Sequence, residues 1–363
     1  MAIKPVIDID LEIEDINNFK PKPNDDGLRF GKIFTDRMLL REFKNGKWET
    51  GKIMAYQNFS LNPATMVFHY GQELFEGLKA FYHKKTKNVC MFRPDENAKR
   101  MNASAKRLVM PEMDVDYFLT SISKLIDLER DWVPKKRGTA LYIRPTMIAS
   151  EVGLGVHPSN EYYFYTILSP SGPYFPEGFA PTSILVEDTY VRAAIGGTGS
   201  AKAGGNYAAS LLAGKIAKDQ GYSQVLWLDS KERKYVEEVG AMNIAFVIDD
   251  EIYTPELTGS ILPGITRKSV IQLSKDIGYK IHESKISIES IIESIKSGSL
   301  TEVFGIGTAA SIAPVGKLKY KSNIYQINNN EIGKITQSLY NELTGIQYGE
   351  VEDRHGWLYY IDS

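Results

Sequence analysis

The chain has 363 residues, more than one typical domain, and its 43% hydrophobic and 24% charged residues are typical of a globular protein. The 43 Lys and Arg residues balance 45 Asp and Glu residues, which argues against a nucleic-acid-binding surface. Cys90 is the only cysteine, so an intrachain disulfide is excluded and a structural zinc site is not expected.

The first residues carry neither a secretion signal nor a membrane anchor that we can identify. Residues 8–15 are acidic, whereas a transit peptide avoids acids and a signal peptide needs a basic start and an apolar run. No apolar run approaches the ~20 residues that span a bilayer. We therefore expect a cytoplasmic protein without membrane or nucleic-acid partners.

In chain order, the first half predicts two helices followed by two strands. Residues 95–109 have apolar side chains at helical spacing, with Asp95 as a plausible N-cap, and residues 115–128 repeat the pattern. Residues 139–149 and 161–168 are rich in β-branched and aromatic side chains, which favours strands.

A loop is predicted at residues 170–181, where four prolines and two glycines fall within twelve residues. We interpret it as the connection between a smaller α+β domain, residues 1–169, and a larger cofactor-binding domain, residues 182–363. The alternative is one long surface loop within a single domain.

The second half mixes further strands and helices, which favours an α+β fold over a doubly wound sheet. Residues 327–330 predict a turn. The predicted strands are Ser183–Val186, Gln224–Leu228, Asn243–Ile248 and Glu302–Phe304, and the predicted helices are 207–219, 268–277, 287–296 and 331–342.

The most unusual segment is residues 196–205, in which five of ten residues are glycine and Lys202 is the only charged one. It fits neither the phosphate-loop spacing nor a dinucleotide fingerprint. Small apolar neighbours would lower the pKa of a lysine amine and let it form a Schiff base with a carbonyl cofactor. On composition alone, an exposed lysine in a glycine loop is the commoner interpretation.

Two further features suit such a cofactor. Glu237 and Glu238 precede an apolar strand, and one carboxylate could face a pyridine nitrogen. Ile265 and Thr266 lie where a helix should begin, and Thr308 follows a strand, so both places could donate to a phosphate. Each feature alone is equally compatible with solvated acids and ordinary turns.

Together and in order, these segments resemble the branched-chain amino acid aminotransferases, which belong to fold type IV of the pyridoxal-phosphate enzymes. The resemblance covers about residues 30–359. It implies a two-domain α+β fold like that of D-amino acid aminotransferase, with pyridoxal 5′-phosphate at the domain interface. The matching segments are FGKIFTD (30–36), FHYGQELFEGLKAF (68–81), LYIRP (141–145), KAGGNY (202–207), QVLWLD (224–229), EVGAMN (238–243), LPGITR (262–267) and GTAA (307–310).

The resemblance assigns roles around the cofactor. Lys202 matches the Schiff-base lysine and catalytic residue, Tyr207 matches the tyrosine that hydrogen-bonds the phenolic oxygen, and Glu238 matches the partner of the pyridine nitrogen. Glu237 matches no role. Arg100 matches the phosphate-binding arginine, although an ordinary surface arginine was equally compatible with its place on the predicted helix. The remaining phosphate contacts match Ile265, Thr266 and Thr308.

The resemblance also implies a substrate pocket. Tyr70 and the amides near Thr308 and Ala309 would hold the α-carboxylate, and Arg144 at the pocket edge would pair with the distal carboxylate of glutamate. Leu154 and Val156 match residues contributed by a second subunit, which implies a homodimer. The aromatic walls match Phe30, Tyr70, Phe75, Tyr142 and Tyr174.

The implied activity is ping-pong transamination of L-leucine, L-isoleucine or L-valine with 2-oxoglutarate. The alternatives are a D-amino acid aminotransferase, an aminodeoxychorismate lyase, or a non-catalytic protein that retains the fold. Two departures are visible. Ala241 stands where several family members have threonine, so a hydroxyl near the cofactor is missing, and residues 311–313 lack the redox cysteine pair of mammalian members.

Overall fold

A computed structural model describes residues 8–174 and 178–361, so residues 175–177 of the predicted interdomain loop lie outside the described residues. The helices are α1 Met66–Tyr70, α2 Pro94–Arg107, α3 Val115–Leu128, α4 Gly204–Asp219, α5 Ile265–Asp276, α6 Ile288–Ser297 and α7 Lys334–Gln347. The strands are β1 Leu11–Ile13, β2 Arg37–Lys44, β3 Lys47–Trp48, β4 Gly51–Ala55, β5 Glu73–Phe75, β6 Leu78–His83, β7 Asn88–Phe92, β8 Ala140–Ala149, β9 Tyr162–Ser171, β10 Thr182–Glu187, β11 Gln224–Leu228, β12 Val236–Val239, β13 Asn243–Ile248, β14 Glu251–Pro255, β15 Ile281–Ser284, β16 Leu300–Gly307, β17 Ser311–Tyr320, β18 Asn323–Gln326 and β19 Leu358–Tyr360.

The described residues form two compact units whose boundaries differ from the predicted domains. The first unit holds residues 8–174, 201–204 and 347–361, and the second holds residues 178–200 and 205–346. The sequence had assigned residues 201–204 and 347–361 to the second domain. The reason for the difference is pairing: Ala203 bridges to Leu74, and β19 pairs with β7, so both segments belong to the first unit.

The first unit is built on a mixed, mostly antiparallel sheet. Its strands follow the order β1-β4-β2-β9-β8-β6-β7-β19, with β3 and β5 attached to β2 and β8. Helices α2 and α3 pack on one face, where their apolar side chains join those of the strands in the core. In β8, Leu141 and Ile143 belong to that core. Because successive strand residues point to opposite faces, Tyr142 and Arg144 lie on the face away from the core.

The second unit has its own sheet, in the order β12-β11-β10-β17-β16-β13-β14-β15, with β18 attached to β17. Strand β10 runs parallel to β11 and β17, whereas β16 is antiparallel to both of its neighbours, β13 and β17. Helix α4 packs Ala213 and Ala217 against Val225 and Trp227. Helix α7 is anchored by buried Glu302 of β16, whose carboxylate accepts from backbone N–H groups of its first turn.

The amphipathic and β-rich segments fold as predicted, with boundaries that shift by a few residues. Helix α3 and strands β11 and β13 have the predicted bounds, and residues 328–330 form a short 3-10 turn. The N-cap prediction for Asp95 is wrong. Helix α2 begins at Pro94, whose fixed φ suits a first helical position, so Arg93 is the N-cap and Asp95 lies in the first turn.

Among the described residues, no helix is long and apolar enough to cross a membrane.

Candidate active site

Lys202 is fixed in the first unit by its backbone. Its carbonyl accepts a hydrogen bond from the Phe75 N–H at 3.1 Å, and its N–H donates to Ser104 Oγ at 3.0 Å. Ala203 forms a bridge with Leu74 of β5. The short segment that carries the lysine is therefore held against strand β5 and helix α2, which gives the side chain a defined direction.

The environment of the Lys202 amine favours its neutral, nucleophilic form. Its Nζ lies 4.7 Å from the centre of the Phe75 ring. Burial, followed by the positive charge of Arg100, lowers the pKa of Lys202 to about 8, although Glu76 acts in the opposite direction. An amine with this pKa is about one tenth unprotonated at pH 7, far more than an exposed lysine.

The lowered pKa predicts how fast the cofactor aldehyde should attach to Lys202. Only the unprotonated amine reacts, so the attachment rate should rise with pH and level off above about 8. The measurement mixes cofactor-free protein with pyridoxal phosphate from pH 6.5 to 9.5 and follows the absorbance. Nα-acetyl-lysine, the control, should keep gaining rate up to its ordinary pKa of ~10.4. A protein profile that follows this control would contradict the prediction.

Arg100 and Glu76 form a buried, bidentate ion pair in the first unit. Arg100 Nε and Nη2 each lie 2.8 Å from a different carboxylate oxygen of Glu76. Asn97 Nδ2 donates to the same carboxylate at 2.7 Å. Burial acts to raise the pKa of Glu76, but Arg100 and then Lys202 outweigh it and the pKa is lowered. Arg100, predicted to bind phosphate, is thus held in a fixed orientation by Glu76.

The predicted aromatic walls lie together. The Phe30 ring packs edge-on against Tyr142 at 4.7 Å and against Tyr174 at 5.4 Å. Arg144 Nη2 donates to the Tyr142 hydroxyl at 2.9 Å, and its guanidinium lies 4.6 Å from the centre of the Phe75 ring. These contacts bring four of the five predicted wall aromatics and Arg144 to the face of the sheet opposite the helices, and their role as a substrate pocket stays a prediction.

The face of the sheet that carries the aromatic cluster also requires glycine at position 77 and carries a second cation, Lys79. A Cβ on Gly77 would lie 2.1 Å from the Tyr142 hydroxyl, so only glycine lets that tyrosine cross the strand. Lys79 is paired in register with Tyr142, and burial lowers its pKa to about 8. Cross-strand partners project from the same face, which places Lys79 beside the aromatic cluster.

Tyr70, Leu154 and Val156 lie on an exposed surface of the first unit. The Tyr70 hydroxyl donates to the Leu154 carbonyl. Leu154 is 65% exposed and Val156 is 85% exposed. The structure therefore brings Tyr70 to Leu154, and none of the ring contacts described for the aromatic cluster includes Tyr70.

In the second unit, Glu238 is held on β12 by three donors. Arg192 Nε pairs with Oε2 at 2.8 Å, and both side chains are almost fully buried. Asn243 Nδ2 and the Leu262 N–H approach Oε1 at 3.2 and 3.3 Å. A buried carboxylate paired with a guanidinium and hydrogen-bonded at its other oxygen is stabilised in its ionised form. Glu238 therefore presents a fixed negative charge.

The turn after β12 depends on Gly240. Its φ is +57°, and a Cβ there would lie 2.1 Å from the Gln224 side-chain oxygen. Any other residue would thus be both strained and crowded. Ala241, which follows in this turn, is exposed.

The predicted phosphate contacts of the second unit lie on two turns. Ile265 and Thr266 form the buried start of α5, where first-turn N–H groups have no partner within the helix. Thr308 and Ala309 are half-buried in the turn that joins β16 to β17. Tyr207 is half-buried in the first turns of α4. These positions are compatible with their predicted roles.

The residues present fit pyridoxal phosphate in their chemistry. The first unit offers a desolvated lysine amine and an oriented arginine, and the second offers an ionised carboxylate and a helix N-terminus. The sequence analysis missed Glu76, Lys79, Arg192 and Asn243. For Lys79 the only available signal was a charged residue within the largely apolar strand β6, whereas Glu76 lies between β5 and β6 and Arg192 lies in a loop, where no such signal exists.

Known proteins share both the sequence and the fold. The model of the amino-transferase class IV family matches residues 73–318. A probable branched-chain-amino-acid aminotransferase of Staphylococcus aureus (strain N315) is 52% identical over 96% of this chain and 97% of its own. The crystal structure of the Escherichia coli branched-chain amino acid aminotransferase has a TM-score of 0.76 at 29% identity, covering 90% of this chain and 99% of that one.

A second solved structure includes a cofactor derivative. The T.th. branched-chain amino acid aminotransferase, complexed with N-(5′-phosphopyridoxyl)-L-glutamate, has a TM-score of 0.71 at 26% identity and covers 89% of this chain and 98% of that one. The family match spans more than half of the chain, and the first relative exceeds half identity over nearly all of it. The chain therefore belongs to the class IV aminotransferases, the fold type IV enzymes that use pyridoxal phosphate.

Proposed function

We propose that this protein transfers the amino group of L-leucine, L-isoleucine or L-valine to 2-oxoglutarate, giving branched 2-oxo acids and L-glutamate. The observation that carries the proposal is the Lys202 amine, with its pKa lowered to about 8, beside the Phe75 ring that Arg144 also contacts. A reactive amine and an aromatic pocket that ends in a cation are what such a transaminase needs. The relatives named as branched-chain aminotransferases support this substrate class.

When bound, the cofactor supplies an electron-accepting ring that stabilises negative charge at the substrate α-carbon. Lys202 would hold the cofactor aldehyde and Tyr207 its phenolic oxygen. Arg100, oriented by Glu76, would pair with the phosphate together with the first-turn N–H groups of Ile265 and Thr266. Thr308 would add a hydroxyl donor.

Lys202 and Glu238 would perform the proton chemistry. The neutral Lys202 amine would take up the proton of the substrate α-carbon and hold it on Nζ, because its pKa of about 8 lies near neutral pH. Glu238 would accept a hydrogen bond from the pyridine nitrogen and keep that nitrogen protonated. Arg192 keeps Glu238 ionised for this purpose.

The aromatic cluster would accept both substrate classes. Phe30, Tyr142 and Tyr174 present ring surfaces to a branched aliphatic side chain, and apolar contact discriminates a methylene only by ~1–3 kcal/mol. Leu, Ile and Val would therefore share the pocket. Arg144, oriented by the Tyr142 hydroxyl, would receive the distal carboxylate of glutamate. Tyr70 and the amides near Ala309 would hold the α-carboxylate, and Ala241 would border the pocket without a hydroxyl.

The near-visible absorbance spectrum, recorded before and after L-leucine is added, tests this function. We expect the band of the Lys202-bound cofactor to give way to a pyridoxamine-type band while 4-methyl-2-oxopentanoate appears in solution. A band that responds to D-alanine but not to L-leucine would reassign the substrate. A protein that cannot take up pyridoxal phosphate would overturn the enzymatic assignment.

The protein would act as a cytoplasmic homodimer. The exposed apolar side chains of Phe68, Val152, Leu154 and Val156 support this assembly. They belong to one surface, because Gly153 donates to the Ala64 carbonyl and so joins their loop to the segment before α1. An apolar surface of this kind is typical of a protein-protein interface.

Replacement of Val156 by Asp should weaken the dimer, because it would bury a carboxylate in an apolar interface. We expect the molar mass measured by light scattering to fall toward that of one chain. Leucine turnover should fall with it if Val156 borders the partner's substrate pocket. Ile324→Asp, at another exposed apolar position, is the control and should leave the mass unchanged. A Val156→Asp protein that stays dimeric at micromolar concentration would refute this interface.

A further inference from the structure

The second unit contains a cavity of about 200 Å³ that none of the roles assigned above uses. Its lining comes from β12, from the turn before it, from the loop after β14 and from the end of β15. Most of the lining is apolar and includes Val236, Tyr235, Pro255 and Ile261. Ile195, which is 70% exposed, lies at its rim. The cavity is large enough for a small organic molecule.

Glu237 contributes a carboxylate to this cavity. Its residue is 6% exposed, and the Ser260 hydroxyl donates to its Oε1. Within the described part of the chain, its Oε2 accepts no hydrogen bond and forms no ion pair. Glu237 follows Val236 and precedes Glu238 on the same strand, so Glu237 and Glu238 point to opposite sides. In a residue that lines a cavity, a carboxylate oxygen that lacks a protein donor is suited to an ammonium group.

Lysine side chains provide the opposite charge at the same cavity. Lys285 lies with its Nζ 4.8 Å from the centre of the Tyr235 ring and, among the described residues, has no carboxylate partner. Lys231 also lines the cavity, as do Glu232 and Glu256. Asp229, the remaining acid, is already engaged by backbone N–H groups of the turn, such as that of Glu232 at 2.7 Å. Of these charged side chains, Glu237 is the buried one, and Lys285 is the one whose amine a ring contact holds beside Tyr235.

We propose that this cavity is a second, non-catalytic binding site for a small aliphatic amino acid, whose ammonium group pairs with Glu237 and whose carboxylate pairs with Lys285. The apolar lining receives the aliphatic side chain. The site lies next to the cofactor machinery of this unit. Ser260, which donates to Glu237, accepts at its carbonyl a hydrogen bond of 3.2 Å from Arg192, the partner of Glu238.

Binding to the enzyme loaded with pyridoxamine phosphate tests the proposal, because that cofactor form carries an amine and does not condense with an amino acid. Isothermal titration compares L-leucine with 3-methylbutylamine, which lacks the carboxylate. We expect Glu237→Gln to weaken both ligands at least tenfold. Lys285→Gln should weaken L-leucine by a similar factor and leave 3-methylbutylamine unchanged. Glu293→Gln, which removes an exposed acid from α6, is the matched control and should leave both unchanged.

Ile195→Trp keeps the test decisive if Glu237→Gln does not fold, because the larger side chain obstructs the rim without removing a buried group. This variant should abolish both binding isotherms. L-leucine binding that persists in Ile195→Trp and Lys285→Gln would assign the ligand to the substrate pocket and overturn the proposal, as would the absence of binding at millimolar concentration. Leucine turnover, measured separately, shows whether the proposed function holds in either case.

Discussion

Replacement of Lys202 by Ala should reduce leucine transamination by more than about a thousandfold. The variant loses the amine that we propose both attaches the cofactor and moves the α-proton, and a positioned acid-base group alone contributes ~10²–10⁴ in rate. The measurement is the rate of 4-methyl-2-oxopentanoate formation at saturating pyridoxal phosphate and L-leucine. The variant should also lose the absorbance of covalently attached cofactor, since Lys202 is the residue that we propose attaches it.

The control for this variant is Lys215→Ala. Lys215 lies on α4, is largely exposed and pairs with Asp219, so its loss should leave turnover and the spectrum unchanged. Thermal unfolding of both variants shows whether Lys202→Ala still folds. A folded Lys202→Ala protein that turns over leucine at a near-normal rate would end the assignment of Lys202 as the catalytic residue.

The elements that could be predicted from sequence are those whose pattern is local. Helix α3 has apolar residues at helical spacing throughout and an Asp114 side chain that caps it, and its predicted bounds are those of the structure. Strand β12, which carries Glu238, was not predicted. Its four residues are all buried and two of them are acidic, so neither alternation nor composition marks it as a strand.

The candidate site also contains residues that sequence motifs indicate and residues that only the fold brings in. Motif resemblance proposes roles for Lys202, Glu238 and Arg100, but the residues that set their charge and orientation come from distant parts of the chain. Glu76, which lies between β5 and β6, is 24 residues from Arg100 in the chain, and Arg192 reaches Glu238 from a loop. Such pairs follow from tertiary packing and leave no spacing that sequence alone could reveal. Tertiary packing also explains why residues 201–204 belong to the first unit although they follow the predicted domain boundary. Ala203 forms a bridge with Leu74 of β5, which is part of that unit.

Replacement of Glu238 by Gln should lower kcat by about 10²–10³, comparable to the loss of one preorganised electrostatic partner. A neutral amide cannot keep the pyridine nitrogen protonated, so the ring loses much of its capacity to accept electrons. The steady-state kcat for L-leucine with 2-oxoglutarate is the measurement. Glu251→Gln is the control, because it removes a half-buried carboxylate that pairs with Lys280 and His282 on the same unit.

The role of Glu238 can be tested a second time by replacing Arg192, whose guanidinium is its buried partner. Arg192→Met leaves the Glu238 carboxylate buried without its cation, and breaking such a pair costs ~3–5 kcal/mol of folding stability. It should also raise the pKa of Glu238 and lower kcat. The double variant Arg192→Met/Glu238→Gln should be destabilised by less than the sum of the single changes, since the unpaired charges are then both gone. If the losses of unfolding free energy, measured by chemical denaturation, are additive, the two side chains act independently. An unchanged kcat in Glu238→Gln would remove Glu238 from its role.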